Sequence, residues 1–231
     1  MGVKPSDFDI LECYVEIGRR KFIAASLVTF GYRFFKAASI IQKLDDIIKF
    51  YDESNNHLNE FPKAFSNVLF DSLMDTIRIS ICFENYFKAK LLSNGFIIHN
   101  VDKNKNQILF KRQKNQPIDV KEITNDNSLN GVTILKNVLN ETTLNYSVLL
   151  NEENYYKYFG IHKDLINFLS ELNQKRNRLH LFTSEKTSLS RGILSNYKEL
   201  TKIVDLDMAM LQSTLLNELD PESRSKLPIK L

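Results

Sequence analysis

The helical periodicity of residues 63–93 constrains this chain more than any other feature of its sequence. Apolar residues recur there three and four positions apart, and Asn94 and Gly95 follow the last of them. This spacing places the apolar side chains on one face of an α-helix. An Asn-Gly pair directly after a periodic run is a strong helix stop. The stretch therefore predicts one long helix that ends at about residue 93.

Helical periodicity also precedes this stretch. It runs over residues 8–51, which is too long for one comfortable helix, so we expect a break near Gly31 or within residues 29–32. Ser6 and Asp7 can cap the first turn, because their side-chain oxygens accept hydrogen bonds from free backbone N–H groups.

Two more helices are predicted near the C-terminal end. The first spans about residues 162–182, after a turn at Gly160. The second begins at a cap supplied by Thr187 or Ser188 and continues through Leu215.

The middle of the chain is predicted to be a small insertion around residues 95–130. Residues 96–99 and 107–110 flank a turn rich in Lys, Asn and Asp, and they fit a short β-hairpin or loop segments packed on the helices. Residues 112–130 are polar and indicate an excursion from the bundle. Residues 131–140 are compatible with a short helix.

These segments together predict an all-α fold. With 7 Gly and 5 Pro in 231 residues, the chain has too few turn residues for a β-sandwich or barrel. We expect a bundle of about five helices in a single domain over residues 1–220, with an insertion at about 95–150 and a tail at 221–231.

Composition narrows the class of protein. The net charge of +3 is compatible with nucleic acid but is better read as a solvated surface of mixed charge. Cys13 and Cys82 lie among apolar neighbours and are typical of buried thiols in a reducing compartment. No run is apolar enough to span a membrane, and we expect a cytoplasmic protein that does not bind membranes.

The common catalytic and cofactor motifs are absent from the sequence. It contains no glycine-rich phosphate loop, no HExxH and no CxxC, and its four histidines are widely spaced. We therefore expect no metal and no cofactor. The sequence is therefore compatible with an enzyme that uses metal-free acid–base chemistry, or with a protein that has no catalytic activity.

An arginine lies within the apolar stripe of the helix predicted over residues 162–182. The stripe is formed by Ile161, Leu165, Phe168, Leu169, Leu172 and Leu179. At about 100° per residue, Arg176 falls inside it, and His180 falls at its edge. A buried guanidinium is costly unless it is paired or lines a cleft. Glu84 is the first candidate partner, ahead of Asp71 and Glu171.

Arg176 and His180 are four residues apart, so on a helix their side chains lie one above the other. Arg176 could hold a phosphate and stabilise developing charge. His180 could take a proton from a ribose 2′-hydroxyl or give one to a leaving 5′-oxygen. Asn177 could orient either group. This set suffices for RNA cleavage without metal, because RNA supplies its own nucleophile.

Residues 175–180, with the sequence KRNRLH, resemble the signature of HEPN domains. In that family an Arg, often followed by Asn, precedes a His with four to six residues between them. Residues 78–89 are similar to the second-helix region of the family, and the two segments cover less than a fifth of the chain. The resemblance implies a helical bundle that dimerises so that two Arg/His motifs face one cleft. It also implies a metal-independent ribonuclease of toxin–antitoxin, abortive-infection or other antiphage systems.

The predicted site residues have three roles. The catalytic residues are Arg176, His180 and Asn177. The substrate-binding residues are Lys175, Arg178 and Asn173. Glu84 is the supporting residue. The partners implied are RNA, a second copy of the chain, and an antitoxin or nucleotidyltransferase protein.

The spacing departs from the family pattern and keeps a second hypothesis open. Only three residues separate Arg176 from His180, and a spacing of four would start from Lys175. The alternative is a non-catalytic interaction module or an RNA- or nucleotide-binding subunit, in which an internal carboxylate neutralises Arg176. A third role, as the partner of a separate nucleotidyltransferase, follows from the resemblance alone.

Overall fold

A computed structural model describes residues 14, 16–53, 66–101, 103, 106–125, 143–178 and 190–227. Within these ranges the backbone is helical and contains no β-strand, so the predicted all-α class is confirmed for this part of the chain. The helices are α1 (Ile17–Lys36), α2 (Ser39–Gln42), α3 (Leu44–Glu53), α4 (Ser66–Ser93), α5 (Gln107–Gln113), α6 (Val120–Asn125), α7 (Tyr146–Asn151), α8 (Glu153–Tyr156), α9 (Lys163–Arg178), α10 (Arg191–Ile203), α11 (Ala209–Glu218) and α12 (Pro221–Lys226). No helix in the described ranges is long and apolar enough to cross a membrane.

Helix α4 is the centre of the fold, as its periodicity predicts. It packs against α1, α2, α7 and α9. Its Phe83, Tyr86 and Phe87 side chains are fully buried, and the ring of Phe87 stacks on that of Phe159 with centroids 3.8 Å apart. The helix ends at the predicted Asn-Gly stop, where Gly95 has φ +84° and its N–H donates to the carbonyl of Leu92. A left-handed residue of this kind favours glycine.

The predicted break at Gly31 is wrong, because α1 continues through it to Lys36. Gly31 is needed for close packing: a Cβ there would lie 2.8 Å from Met208 Cε and 2.9 Å from the Cys82 carbonyl oxygen. The break comes instead at residues 37–38. There the buried carboxylate of Asp75 accepts the backbone N–H groups that open α2.

Helix α1 also packs against α11, far along the chain. Gln212 donates to Thr29 over 2.9 Å, and Lys36 pairs with Asp205 at 2.7 Å. Thus α1 lies between the central helix and a segment that follows it by more than 160 residues.

The β-hairpin predicted for the middle of the chain is wrong. Residues 107–110 belong to α5, which Asn106 caps by accepting the N–H of Leu109. Residues 96–99 form only isolated bridges, Phe96 to Asp119 and His99 to Thr143. The polar excursion predicted over 112–130 includes α6, and the helix predicted over 131–140 lies outside the described residues.

The C-terminal helix differs from its prediction in two ways. Its described start is capped by Ser190, whose hydroxyl accepts the N–H of Ile193; the predicted caps, Thr187 and Ser188, lie outside the described residues. A π-helical turn, Val204–Met208, divides it into α10 and α11. The predicted tail begins with α12, and the side chain of Leu227 after it is buried.

Candidate charge cluster at the end of helix α9

Helix α9 presents its apolar stripe to the core as predicted. Its buried stripe residues are Leu165, Phe168, Leu169 and Leu172. Asn173, predicted just past the stripe, is also buried, with 4% of its surface exposed. The side chains of Lys175, Asn177 and Arg178 are exposed. The last two turns of α9 therefore combine one buried amide with exposed basic side chains.

Arg176 forms an ion pair with Glu84 across the interface between α9 and α4. Its Nη1 donates to Oε2 of Glu84 over 2.9 Å. The arginine side chain is 30% exposed and the carboxylate is 19% exposed. The other two carboxylates considered for this arginine are elsewhere: Asp71 accepts from the Ser39 hydroxyl, and Glu171 is exposed.

Lys88 binds the other oxygen of the same carboxylate. Its Nζ donates to Oε1 of Glu84 over 2.7 Å and to Oγ1 of Thr143 over 2.9 Å. Its side chain is only 7% exposed. Burial would raise the pKa of Glu84, but the charges and hydrogen bonds of Lys88 and Arg176 lower it below its usual value. These three side chains thus carry two positive charges and one negative charge, and we call them the charge cluster.

Sequence reasoning missed Lys88, although a signal for it was present. A Glu followed four residues later by a Lys is the favourable orientation for a helical ion pair. Glu84 and Lys88 have that spacing in α4. Thr143 carried no comparable signal, because its contact with Lys88 joins residues 55 positions apart.

His99 lies beside the charge cluster. It is bridged in antiparallel fashion to Thr143, the residue that binds Lys88, and residues directly opposite in such a bridge project to the same face. Its Nδ1 is hydrogen-bonded to the hydroxyl of Tyr14, which also accepts the N–H groups of Ile98 and His99. Burial, together with the charge of Lys88, lowers the pKa of His99 to about 4, so the ring is neutral at pH 7.

His180 lies outside the described residues, so the predicted Arg–His pair has no described geometry. Of the other predicted site residues, the structure brings Arg176 and Glu84 together. Asn177 is exposed on the same turn, and Asn173 is buried one turn earlier. In the described part of the chain, no three His, Cys, Asp or Glu side chains are grouped so that they could hold a metal ion.

Comparison with known proteins identifies no family for this chain. No family model, no curated protein and no solved structure matches the chain. The likeness to HEPN domains therefore rests on residues 78–89 and 175–180 alone. What stands independently of it is a helical fold with a charge cluster at the end of α9.

Proposed function

We propose that this protein is a HEPN-like, metal-independent endoribonuclease that acts as a toxin or antiphage effector. In this proposal Arg176 binds the scissile phosphate and stabilises its developing charge, and His180 transfers the proton. Asn177 orients one of these groups. Two copies of the chain form the cleft, and an antitoxin or nucleotidyltransferase protein is the expected regulatory partner.

The observation that supports this proposal is the sharing of one carboxylate by two cations. Glu84 binds Lys88 through one oxygen and Arg176 through the other, so the charge cluster has an excess of one positive charge. Lys88 is almost fully buried, whereas Arg176 is 30% exposed. The accessible cation is therefore the arginine, and a phosphodiester is an anion that a guanidinium binds well.

The exposed residues of the same turn favour the same ligand. Lys175 and Arg178 flank Arg176 and are both exposed on the described end of α9. Basic side chains near an RNA strand add affinity that falls as salt concentration rises. We therefore expect binding that weakens steadily with added salt, whether or not cleavage follows.

The chemistry proposed here needs no bound metal. The ribose 2′-hydroxyl attacks the adjacent phosphorus, the bond to the 5′-oxygen breaks, and the products carry a 2′,3′-cyclic phosphate and a 5′-hydroxyl. His180 serves as the base or the acid of that transfer, since histidine titrates near neutral pH. Arg176 offsets the charge that grows on the phosphate oxygens.

The experiment is an RNA cleavage assay with the purified protein in the presence of EDTA. Cleavage should persist and leave cyclic phosphate ends. Arg176→Ala and His180→Ala should each reduce it by at least about a hundredfold, which is typical for the loss of an acid–base or charge-stabilising group. Lys163→Ala, which removes an exposed cation from the first turn of the same helix, is the matched control and should cleave normally.

A second function is favoured by the ion pair itself. Because Glu84 engages Arg176 within one chain, the arginine could be a structural residue of a non-catalytic interaction module or RNA-binding subunit. That reading predicts no cleavage by any variant and a marked loss of stability in Arg176→Ala. Intact RNA after prolonged incubation with folded wild-type protein, together with that loss of stability, would decide for it.

A further inference from the structure

Tyr146 places its hydroxyl in the core of the protein. It is the first residue of α7 and only 2% exposed. Its oxygen has no contact with solvent and no hydrogen-bond partner among the described residues. A buried hydroxyl without a partner destabilises the fold, so such a group calls for an explanation.

The packing of α7 places Tyr146 against the two helices that hold the charge cluster. Helix α7 contacts both α4 and α9. The ring of Tyr146 lies 6.1 Å from that of Phe87, the residue before Lys88. Burial raises the pKa of Tyr146 well above its usual value, the charge of Glu84 adds to that rise, and the charge of Arg176 opposes it. The hydroxyl thus keeps its proton at neutral pH and lies within the influence of both charges.

Glu84 loses a partner if the guanidinium of Arg176 turns away from it to a bound anion. A phosphate next to the guanidinium would face the carboxylate across it, and two anions on one guanidinium repel each other. Release of Arg176 would leave Glu84 Oε2, which now accepts from Nη1, without that bond. A partly buried carboxylate that loses a hydrogen bond is destabilised. The hydroxyl of Tyr146, on the helix that packs against both α4 and α9, is a donor that could replace it.

We propose that Tyr146 is a positioning residue that replaces Arg176 on Glu84 when Arg176 contacts an RNA phosphate. The inference rests on the proposed function, because it needs an anion that draws the arginine away. In the resting protein the Tyr146 hydroxyl has no hydrogen-bond partner within the described ranges, and Arg176 is held by Glu84. In the bound protein the hydroxyl donates to Oε2 and the guanidinium is released to the ligand.

The first test needs no ligand. Arg176→Met removes the guanidinium and leaves Glu84 Oε2 open to Tyr146. In the wild-type background, Tyr146→Phe should leave the urea midpoint unchanged or raise it, since it removes a buried hydroxyl that has no partner in the described part of the chain. In the Arg176→Met background the same change should lower the midpoint, since it now removes a hydrogen bond to a charged acceptor. This reversal of sign is the expected result.

Tyr86→Phe is the matched control. The hydroxyl of Tyr86 is also buried and unpaired among the described residues, but the carboxylate whose charge raises its pKa is Asp207 and not Glu84. It should have the same effect on the midpoint in both backgrounds. If Tyr146→Phe also has the same effect in both backgrounds, the inference is overturned.

The second test measures binding of a fluorescent single-stranded oligoribonucleotide. Tyr146→Phe should weaken binding about tenfold, the equivalent of one hydrogen bond to a charged group. Tyr86→Phe should not change it, and Arg176→Met should weaken it strongly. If Arg176→Met weakens binding and Tyr146→Phe does not, Tyr146 has no role in binding and the proposed function is unaffected. If Arg176→Met leaves binding unchanged, the proposed function fails, and the midpoints still decide whether Tyr146 can replace Arg176.

Discussion

Acid should destabilise this fold through His99, by an amount that follows from its surroundings. The Tyr14 hydroxyl accepts two backbone N–H groups, from Ile98 and His99, so its own proton is directed to Nδ1 of the imidazole. A protonated ring would carry hydrogen on both nitrogens and lose this acceptor. It would also place a second positive charge near Lys88. Burial is the larger cause of the low pKa of His99, and the charge of Lys88 is the smaller one.

The magnitude follows from proton linkage. His99 titrates at about 4 in the folded protein, compared with 6.5 for an unperturbed histidine. The unfolded chain therefore binds the proton more readily, and stability is complete above pH 6.5 and falls as the pH is lowered. Integration of this difference gives a loss of about 2 kcal/mol at pH 5 and about 3 kcal/mol at pH 4, with little further loss below that.

The assay is urea unfolding followed by circular dichroism at pH 7 and pH 5. Carboxylates also titrate in this range, so the useful quantity is the difference between the wild type and His99→Gln. The variant should lose about 2 kcal/mol less than the wild type between the two pH values. His162→Gln, which replaces an exposed histidine, is the control and should behave as the wild type. Equal losses for His99→Gln and the wild type would refute the reasoning.

Three further substitutions test the packing and the helix starts by urea unfolding at pH 7. Gly31→Ala should destabilise by about 1–3 kcal/mol, because the new methyl group would overlap the Cys82 carbonyl; a more stable variant would contradict this packing. Asp75→Ala should cost about 2 kcal/mol through the loss of two backbone hydrogen bonds at the start of α2, whereas Asp164→Ala, an exposed control, should be nearly neutral. Ser190→Ala should cost about 1 kcal/mol, and Ser190→Gly less; equal stability of wild type and Ser190→Ala would show that this cap is unimportant.

The sequence was enough to predict the helices whose periodicity extends over many residues and whose stop signals lie next to them in the chain. The periodicity and the Asn-Gly stop predicted α4 to its last residue, and the stripe of α9 identified Arg176 as an arginine that needs a partner. These predictions depend on helix geometry within a few turns. They needed no knowledge of what lies across the interface.

The errors come from features that tertiary packing decides. Gly31 indicated a break, but the contact that requires a glycine there comes from α4, 51 residues away in sequence. Residues 107–110 are a short apolar run, which fits a strand or a helix equally well, and the cap at Asn106 decided for the helix. Thr143 and Tyr146 join the site only because α7 and the residues before it fold back onto α4.

The packing of α1 against α11 has a consequence for how the protein is made. Thr29 accepts a hydrogen bond from Gln212, which lies 183 residues later in the chain. Lys36 likewise pairs with Asp205, which is synthesised long after it. A ribosome adds about 5–20 residues each second, so α1 spends roughly ten seconds or more with this side uncovered. During that interval the nascent chain exposes the surface of α1 that α11 covers in the finished molecule, and this surface is open to a chaperone or to a misfolded neighbour.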